Sequence, residues 1–549
     1  MAPYHALIIS EILSLIIQYV QESYHNQPPC CLSTDLLSIA LCCQAFKDLA
    51  MDALWHSMRD ITPILKLIPG MQVIDGQMVF FFVRLTIDQL PTDSWFYLQC
   101  IRGDLDLRQL AIFNSYAYRV KRITVSDSDI AITIPSIEAR TCGQLSRLED
   151  GLCPSLKVLR ISFFTINLDL SVLPLLLRSK SLSAVTYTLR HYVPLSDGLV
   201  VLANHANVQE LRHLELQGRW DCRDDVTRLS LFSQLRSISL ILGSASWTTR
   251  ILDELSQLSQ LTDLHIDLKD AHYDYDWSTA PPQINSQEVS FLALRKLTVA
   301  GPPGRTLVVL DHIAANHLEH IHICFAHFFT CDDCGRLYQS ISRFRSLRKI
   351  SHTLDQYSTP RTSQAFLRRT TDLLAVVEPI FVLPDLEHLS LRLGFKPLGK
   401  LYALFHVSDN CVSRVASAYP SLKELTLETI PRWNKADNWS PRWHPYYVAG
   451  PTFASLRCLA EACPRLIDLG LSLEFEAESL PSEACISSSH RLQRLDLLDT
   501  PIEDDLVATL GRLLTNLFPH LDSINSDHGM RFNKIDKHLT NVEANDDCE

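Results

Sequence analysis

From about residue 120 onward one short apolar phrase keeps returning: an apolar residue, then two more at the third and fifth positions after it. Leu156, Leu159 and Ile161 form one copy; Leu211, Leu214 and Leu216 form another, followed by Leu261, Leu264 and Ile266, then Leu294, Leu297 and Val299. Further copies begin at Leu318, Leu386, Leu422, Leu466 and Leu492, and looser ones at Val120, Leu182, Leu235, Leu347 and Leu521. Alternation over so few residues predicts a short strand buried on one face. Most gaps between copies are roughly 24 to 30 residues and the rest roughly 33 to 44, room for a strand and a helical return, with insertions on the rims or the outer side. Pro154, Pro420 and Pro464 stand two positions ahead of a phrase, where each would end the incoming helix. A repeat of this kind extends one core along an axis, so a chain of 549 residues need not divide into several globular domains.

About a dozen phrases in one register resemble the irregular leucine-rich repeats of intracellular adaptor proteins, over roughly three quarters of the chain. The asparagine or cysteine that usually follows the last leucine is mostly absent. The resemblance implies an α/β fold: a leucine-rich-repeat solenoid, its curved parallel sheet backed by convex helices, preceded by a small all-α module. The expected divisions are 1–60 for the helical module, 61–118 for a linker and solenoid cap, 119–530 for the repeats and 531–549 for a disordered acidic tail. Strand alternation turns the residues between the apolar ones toward the concave face: Arg160, His213, Glu215, Asp263, His265, Lys296, His320, His322, Lys349, His388, Glu424, Asp468, Arg494 and Asp496. Both charges and several histidines occur there, which suits a protein with its own mixed polar pattern better than a polyanion. Candidate substrate contacts are His213, Glu215, His265, Lys296, His320, His322, Lys349 and His388. The insertion 431–447 adds Trp433, Trp439 and Trp443, with arginines beside them, residue types enriched at binding hot spots.

Two segments near the start have helical periodicity. In "SEILSLIIQYV", Ile12, Leu13, Ile16, Ile17 and Val20 recur at helical spacing after Ser10. Beyond Pro28 and Pro29, a cap at Ser33, Thr34 or Asp35 precedes Leu36, Leu37, Ala40, Leu41, Phe46, Leu49 and Leu54. About 50 residues this apolar cannot hide every side chain alone and must dock on something. "SEIL", "DLLSIALCCQAF" and the closing "ALW" together resemble an F-box, the module that binds a Skp-type adaptor of cullin-based ubiquitin ligases, with Cys43 and Phe46 where the family commonly has a cysteine and an aromatic. Ile8 and Ile9 occupy the family's leucine and proline, and Gln44 replaces its basic residue. An F-box, "ITPILKLIPG" and then irregular repeats resemble most closely the expanded F-box-like proteins of basidiomycete fungi.

That resemblance implies a substrate-recognition subunit of an SCF-type ligase, with the Skp-type adaptor and cullin complex and a protein substrate as partners. Adaptor contacts would be Ile9, Ile12, Leu13, Ile16, Leu37, Leu41 and Phe46. The alternative is a repeat scaffold whose degenerate F-box does not recruit the ligase, the helices serving only as the solenoid's cap.

Composition narrows these readings further. A net charge of −12 argues against nucleic acid as a partner. The sixteen cysteines are scattered through apolar runs, as expected of reduced buried thiols in the cytoplasm or nucleus. The first helix lacks the flanks of a signal peptide, and no run is long and apolar enough for a membrane span. His317, His320, His322, Cys324, His327, Cys331 and Cys334 include half a zinc spacing, but no second half follows, and two of the histidines already belong to a repeat phrase. "GPPGRT" from Gly301 lacks the lysine of a phosphate loop and reads as a rim turn. No nucleophile elbow or carboxylate pair stands out, so the expectation is a non-catalytic protein without cofactor or metal.

Overall fold

The computed structural model describes residues 10–23, 29–42, 44–59, 61–67, 72–77, 98–102, 111–126, 136–137, 145, 148, 151–163, 173–189, 195–207, 209–218, 226–242, 250–268, 288–325, 331–354, 371–393, 405–428, 450–475, 490–498, 500 and 506–525. The chain divides into two compact units, Met1–Gln260 and Leu261–Glu549.

The first unit opens with three helices, α1 (Ser10–Ser23), α2 (Pro29–Cys42) and α3 (Gln44–His56). Ile17, Leu36, Ala40 and Ala50 form their common core, with Val20, Ile39, Leu49 and Leu54 packed against it. The three-helix module therefore has an interior of its own. Directly after α3, β1 (Ser57–Met58) joins the edge of a parallel sheet beside β2 (Arg122–Ser126). The sheet continues in chain order through β3 (Val158–Phe163), β4 (Ala184–Leu189), β5 (His213–Gly218) and β6 (Ser237–Leu242). A helix over Ala111–Ala117, α4, precedes β2, and its Tyr116 ring stands 5.0 Å from Trp55 at the end of α3.

The second unit repeats the pattern with β7 (Asp263–Asp267), β8 (Lys296–Gly301), β9 (His320–Phe325), β10 (Lys349–Leu354), β11 (His388–Arg392), β12 (Glu424–Glu428), β13 (Asp468–Leu471), β14 (Arg494–Asp496) and β15 (Ser523–Asn525), all parallel neighbours in chain order. Helices return between strands: α5 (Pro303–His312), α6 (Cys331–Ile341), α7 (Asp409–Ala418), α8 (Phe453–Ala462) and α9 (Val507–Leu517). This is an α/β leucine-rich-repeat fold.

Every phrase read from the sequence lands on one of these strands, and the residue register is that of the phrase. Asp263, Lys296, His320, Lys349, His388, Glu424, Asp468 and Arg494 pair from strand to strand. Between them the leucine positions point inward: Leu264, Leu297, Ile321, Ile350, Leu389, Leu425, Leu469 and Leu495 are all buried. A one-residue slip would expose this whole set, each member contributing about 1.5–3 kcal/mol when buried, so the apolar pattern alone fixes the register. Pro420 and Pro464 act as anticipated. Tyr419 and Cys463 cap the C-termini of α7 and α8, and Pro420 and Pro464 follow them at once.

"GPPGRT" proves to be more than a turn. Gly301 ends β8 at φ 150° and Pro302 is the N-cap of α5, so five of the six residues stand inside or cap a helix for which proline at the first position is well suited.

Candidate functional site

Two surfaces stand out, one on the helical module and one on the exposed face of the sheet.

In the module, Leu13 is 2% exposed and Ile17 is 4%, so both belong to the interior. Leu13 thus supports the fold from within instead of offering itself as a contact. Ile12 and Phe46 are half-buried. Ile16, Leu37 and Leu41 are exposed by 37%, 48% and 78%. Two further residues, absent from the sequence reading, join them: Leu15 at 64% and Tyr19 at 73%. The signal was present, because α1 carries apolar residues on more than one face, which a helix with a single buried stripe does not need. Ile9 lies outside the described residues.

The module's contacts with the repeats run through α3. Arg119, just before β2, donates to the Asp48 carboxylate at 2.9 Å, to the Asp48 carbonyl at 3.0 Å and to the Asp52 carboxylate. Lys121 N–H donates to the His56 carbonyl at 3.0 Å. The exposed apolar residues, by contrast, stand on α1 and α2.

Within each unit, the described strand residues among the anticipated contacts lie on the face of the sheet opposite the buried leucines. In the second unit His265, His320, His322, Lys349 and His388 are half-buried and Lys296 is exposed. Glu424 binds the row together, accepting from His388 Nδ1 at 3.0 Å and facing Lys349 Nζ at 3.5 Å. Lys296 pairs with Asp263 at 3.8 Å and Arg494 with Asp468. Burial, followed by the charges of Lys296, Lys349 and His388, pulls the His320 imidazole below its ordinary range. In the first unit His213 is exposed, and Glu215 accepts from Thr186 Oγ1 at 3.1 Å. Trp433, Trp439 and Trp443 lie outside the described residues.

The histidine and cysteine cluster is divided between the two sides of the sheet. His320, His322 and Cys324 alternate with buried Ile321, Ile323 and Phe325 on β9 and so take its exposed face. Cys334 is buried on α6, whose Tyr338 hydroxyl meets the core-facing His352 at 2.9 Å. Burial holds the Cys334 thiol well above its usual value, the reverse of what a thiolate ligand requires. Cys331 donates to Thr371 Oγ1 at 3.4 Å. His327 lies outside the described residues, and among the described residues no group of three or more histidine, cysteine or acidic side chains is arranged to hold a metal. Nor is any described helix long and apolar enough to cross a membrane.

No family model matches the chain, and no curated protein matches it. Among solved structures it is similar to an internalin from Listeria monocytogenes, at 15% identity over 75% of this chain and 88% of that one, with a TM-score of 0.33. It is also similar to a chain in the Rad7 and Elc1 complex from yeast, at 15% identity over 67% of this chain and 75% of that one, with a TM-score of 0.31. Likenesses this slight say nothing about what the chain binds.

Proposed function

We propose that the chain is a substrate-recognition subunit of an SCF-type cullin ubiquitin ligase, in which α1 and α2 hold a Skp-type adaptor and the exposed sheet face holds a protein substrate. One observation carries this reading. The helical module already has its own core and is tied to the repeats through α3, yet it leaves Leu15, Ile16, Tyr19, Leu37 and Leu41 in solvent. A cap alone would need no such surface. Covering Leu15, Tyr19 and Leu41 would contribute about 1.5–3 kcal/mol for each side chain fully buried. The resemblance of "SEIL", "DLLSIALCCQAF" and "ALW" to an F-box names the partner of matching chemistry. The chain would supply no reacting group; ubiquitin transfer would be accelerated by holding the substrate close to an enzyme carried on another subunit.

A second reading has a specific observation behind it. Ile9 stands where the F-box family has proline, and Gln44 where it has a basic residue, which favours a repeat scaffold that has lost the adaptor. Calorimetric titration of the full chain with a purified Skp-type adaptor separates the two. The ligase reading expects one-to-one binding that a Leu41→Asp variant weakens by at least about tenfold, because an uncompensated carboxylate is desolvated in an apolar contact. Absence of binding by the folded wild-type chain supports the scaffold.

A further inference from the structure

Just ahead of each strand, one residue joins its neighbours in a backbone ladder of its own. In the first unit the Lys121 carbonyl accepts from the N–H groups of Lys157 and Val158, the Lys157 carbonyl from Ser183 and Ala184, the Ser183 carbonyl from Arg212 and His213, and the Arg212 carbonyl from Arg236 and Ser237. The rungs are therefore Lys121, Lys157, Ser183, Arg212 and Arg236, about 4.8 Å apart. The second unit has the same ladder, with Arg295, Glu319, Arg348, Glu387 and Lys423 as successive rungs. There the charges alternate and pair: Arg295 with Glu319 at 2.8 Å, and Lys423 with Glu387 at 2.5 Å. Hydrogen bonding from Lys423, with the nearby charge of Arg348, pulls the Glu387 carboxyl below its usual range.

In the first unit's ladder, Lys157 and Arg212 have no such partner among the described residues. Its charged rungs are all basic, and Arg122 and Arg160 on β2 and β3 extend the same sign onto the strands. Arg122, Lys157, Arg160 and Arg212 make no ion pair among the described residues. The nearest carboxylates on the module, Asp48 and Asp52, are engaged by Arg119. Lys121 registers the crowding: burial and then the charge of Lys157 pull its ammonium below the usual lysine value. A chain of net charge −12 thus gathers Arg122, Lys157, Arg160 and Arg212, without ion pairs among the described residues, along one short line.

We infer that this line, Lys121, Lys157 and Arg212 with Arg122 and Arg160 beside it, is a docking surface for an acidic segment of a protein, rich in aspartate and glutamate. Read as part of the substrate surface, the inference rests on the function proposed above. Charge complementarity selects the occupant: carboxylates spaced along an extended segment meet cations at the Lys121, Lys157 and Arg212 rungs. A nucleic acid is the weaker candidate, because a polyphosphate approaching this patch meets the field of a strongly acidic chain.

The test uses the full chain and a fluorescent peptide of about eight residues, mostly glutamate and aspartate, which at about 3.3 Å per residue is long enough to cross the ladder. Its controls are the same peptide with glutamine and asparagine, and a single-stranded oligonucleotide of equal length. We expect the acidic peptide to bind, to weaken as salt rises, and to weaken roughly tenfold in a Lys157→Glu, Arg212→Glu variant. The same two positions changed to glutamine should give a smaller loss, and Arg336→Glu with Arg414→Glu, exposed residues of the second unit, should give none. The inference is overturned by a folded wild-type chain that ignores the acidic peptide, binds the neutral one equally well, or prefers the oligonucleotide, and by an equal loss in the second-unit variant. Adaptor binding is measured on the same proteins. A chain that takes the peptide without the adaptor contradicts the ligase reading alone; one that takes the adaptor without the peptide contradicts this inference alone.

Discussion

His352 occupies a strand position that the repeat phrase reserves for an apolar residue, and it is fully buried there. It meets the Tyr338 hydroxyl at 2.9 Å and the edge of Phe325, with ring centroids 4.7 Å apart. Burial, with a smaller push from His322, pulls its pKa down to about 3. The folded state then keeps the ring neutral over a range in which the unfolded chain, near 6.5, takes up a proton. Stability contributed by this residue is complete above pH 6.5 and falls as the pH drops toward 3, by about 1.4 kcal/mol per unit. A Tyr338→Phe, His352→Leu double variant removes both polar partners, and its urea midpoint should lose part of this acid dependence; an unchanged slope between pH 6 and 4 would contradict the assignment. Gly198 makes a second demand at this scale, since a methyl built there would overlap the ring of buried Tyr187. Gly198→Ala should cost about 1–3 kcal/mol in denaturant unfolding, despite the higher helix propensity of alanine. Neither constraint could be read from the sequence, because each depends on how a strand residue meets a helix residue across the core, and a pattern records the period but not what faces it.

At the level of elements, the strands were legible and the helix termini were not. The phrase carries strand position and register together, since its apolar spacing is also the rule for what is buried. The caps instead form a relay between repeats. Asp372 accepts from Leu374 N–H and from Ser408 Oγ; Ser408 caps α7 by accepting from Cys411 N–H; Asp409 accepts from Thr452 N–H, Thr452 Oγ1 and Ser455 Oγ; and Thr452 caps α8 by accepting from Ala454 N–H. Removing one member leaves polar groups of the next helix without an acceptor. Asp409→Ala should therefore destabilise the second unit by about 1–3 kcal/mol, with faster amide exchange at the start of α8. Exchange confined to α7 would count against the relay. In α1 the sequence showed helical spacing but grouped Leu13 and Ile16 on one face; the fold buries Leu13 and leaves Ile16 with Leu15 and Tyr19 in solvent. Apolar residues on several sides of a helix do not say which side turns inward until the partner helices are placed.

Over the whole molecule, periodicity gave the repeat fold because one rule governs the entire core. The charge on its exposed face follows no such rule. The sequence suggested a mixed face throughout, and in the second unit Lys349, His388 and Glu424 show that mixture. The first unit departs from it at the second letter of the phrase, where Lys157, Arg212 and Arg236 stand, just ahead of the strands and outside their alternation. Trp433, Trp439 and Trp443 are outside the described residues, so their place on a substrate surface is an expectation from composition. Amide hydrogen exchange of the full chain with and without a Skp-type adaptor tests the proposed role of the exposed apolar face of α1 and α2 most directly. Protection concentrated in 10–23 and 34–42, with α3 and the strands unchanged, is the expected result. No protection, or protection centred on the repeats, would contradict the claim that this module recruits a ubiquitin ligase.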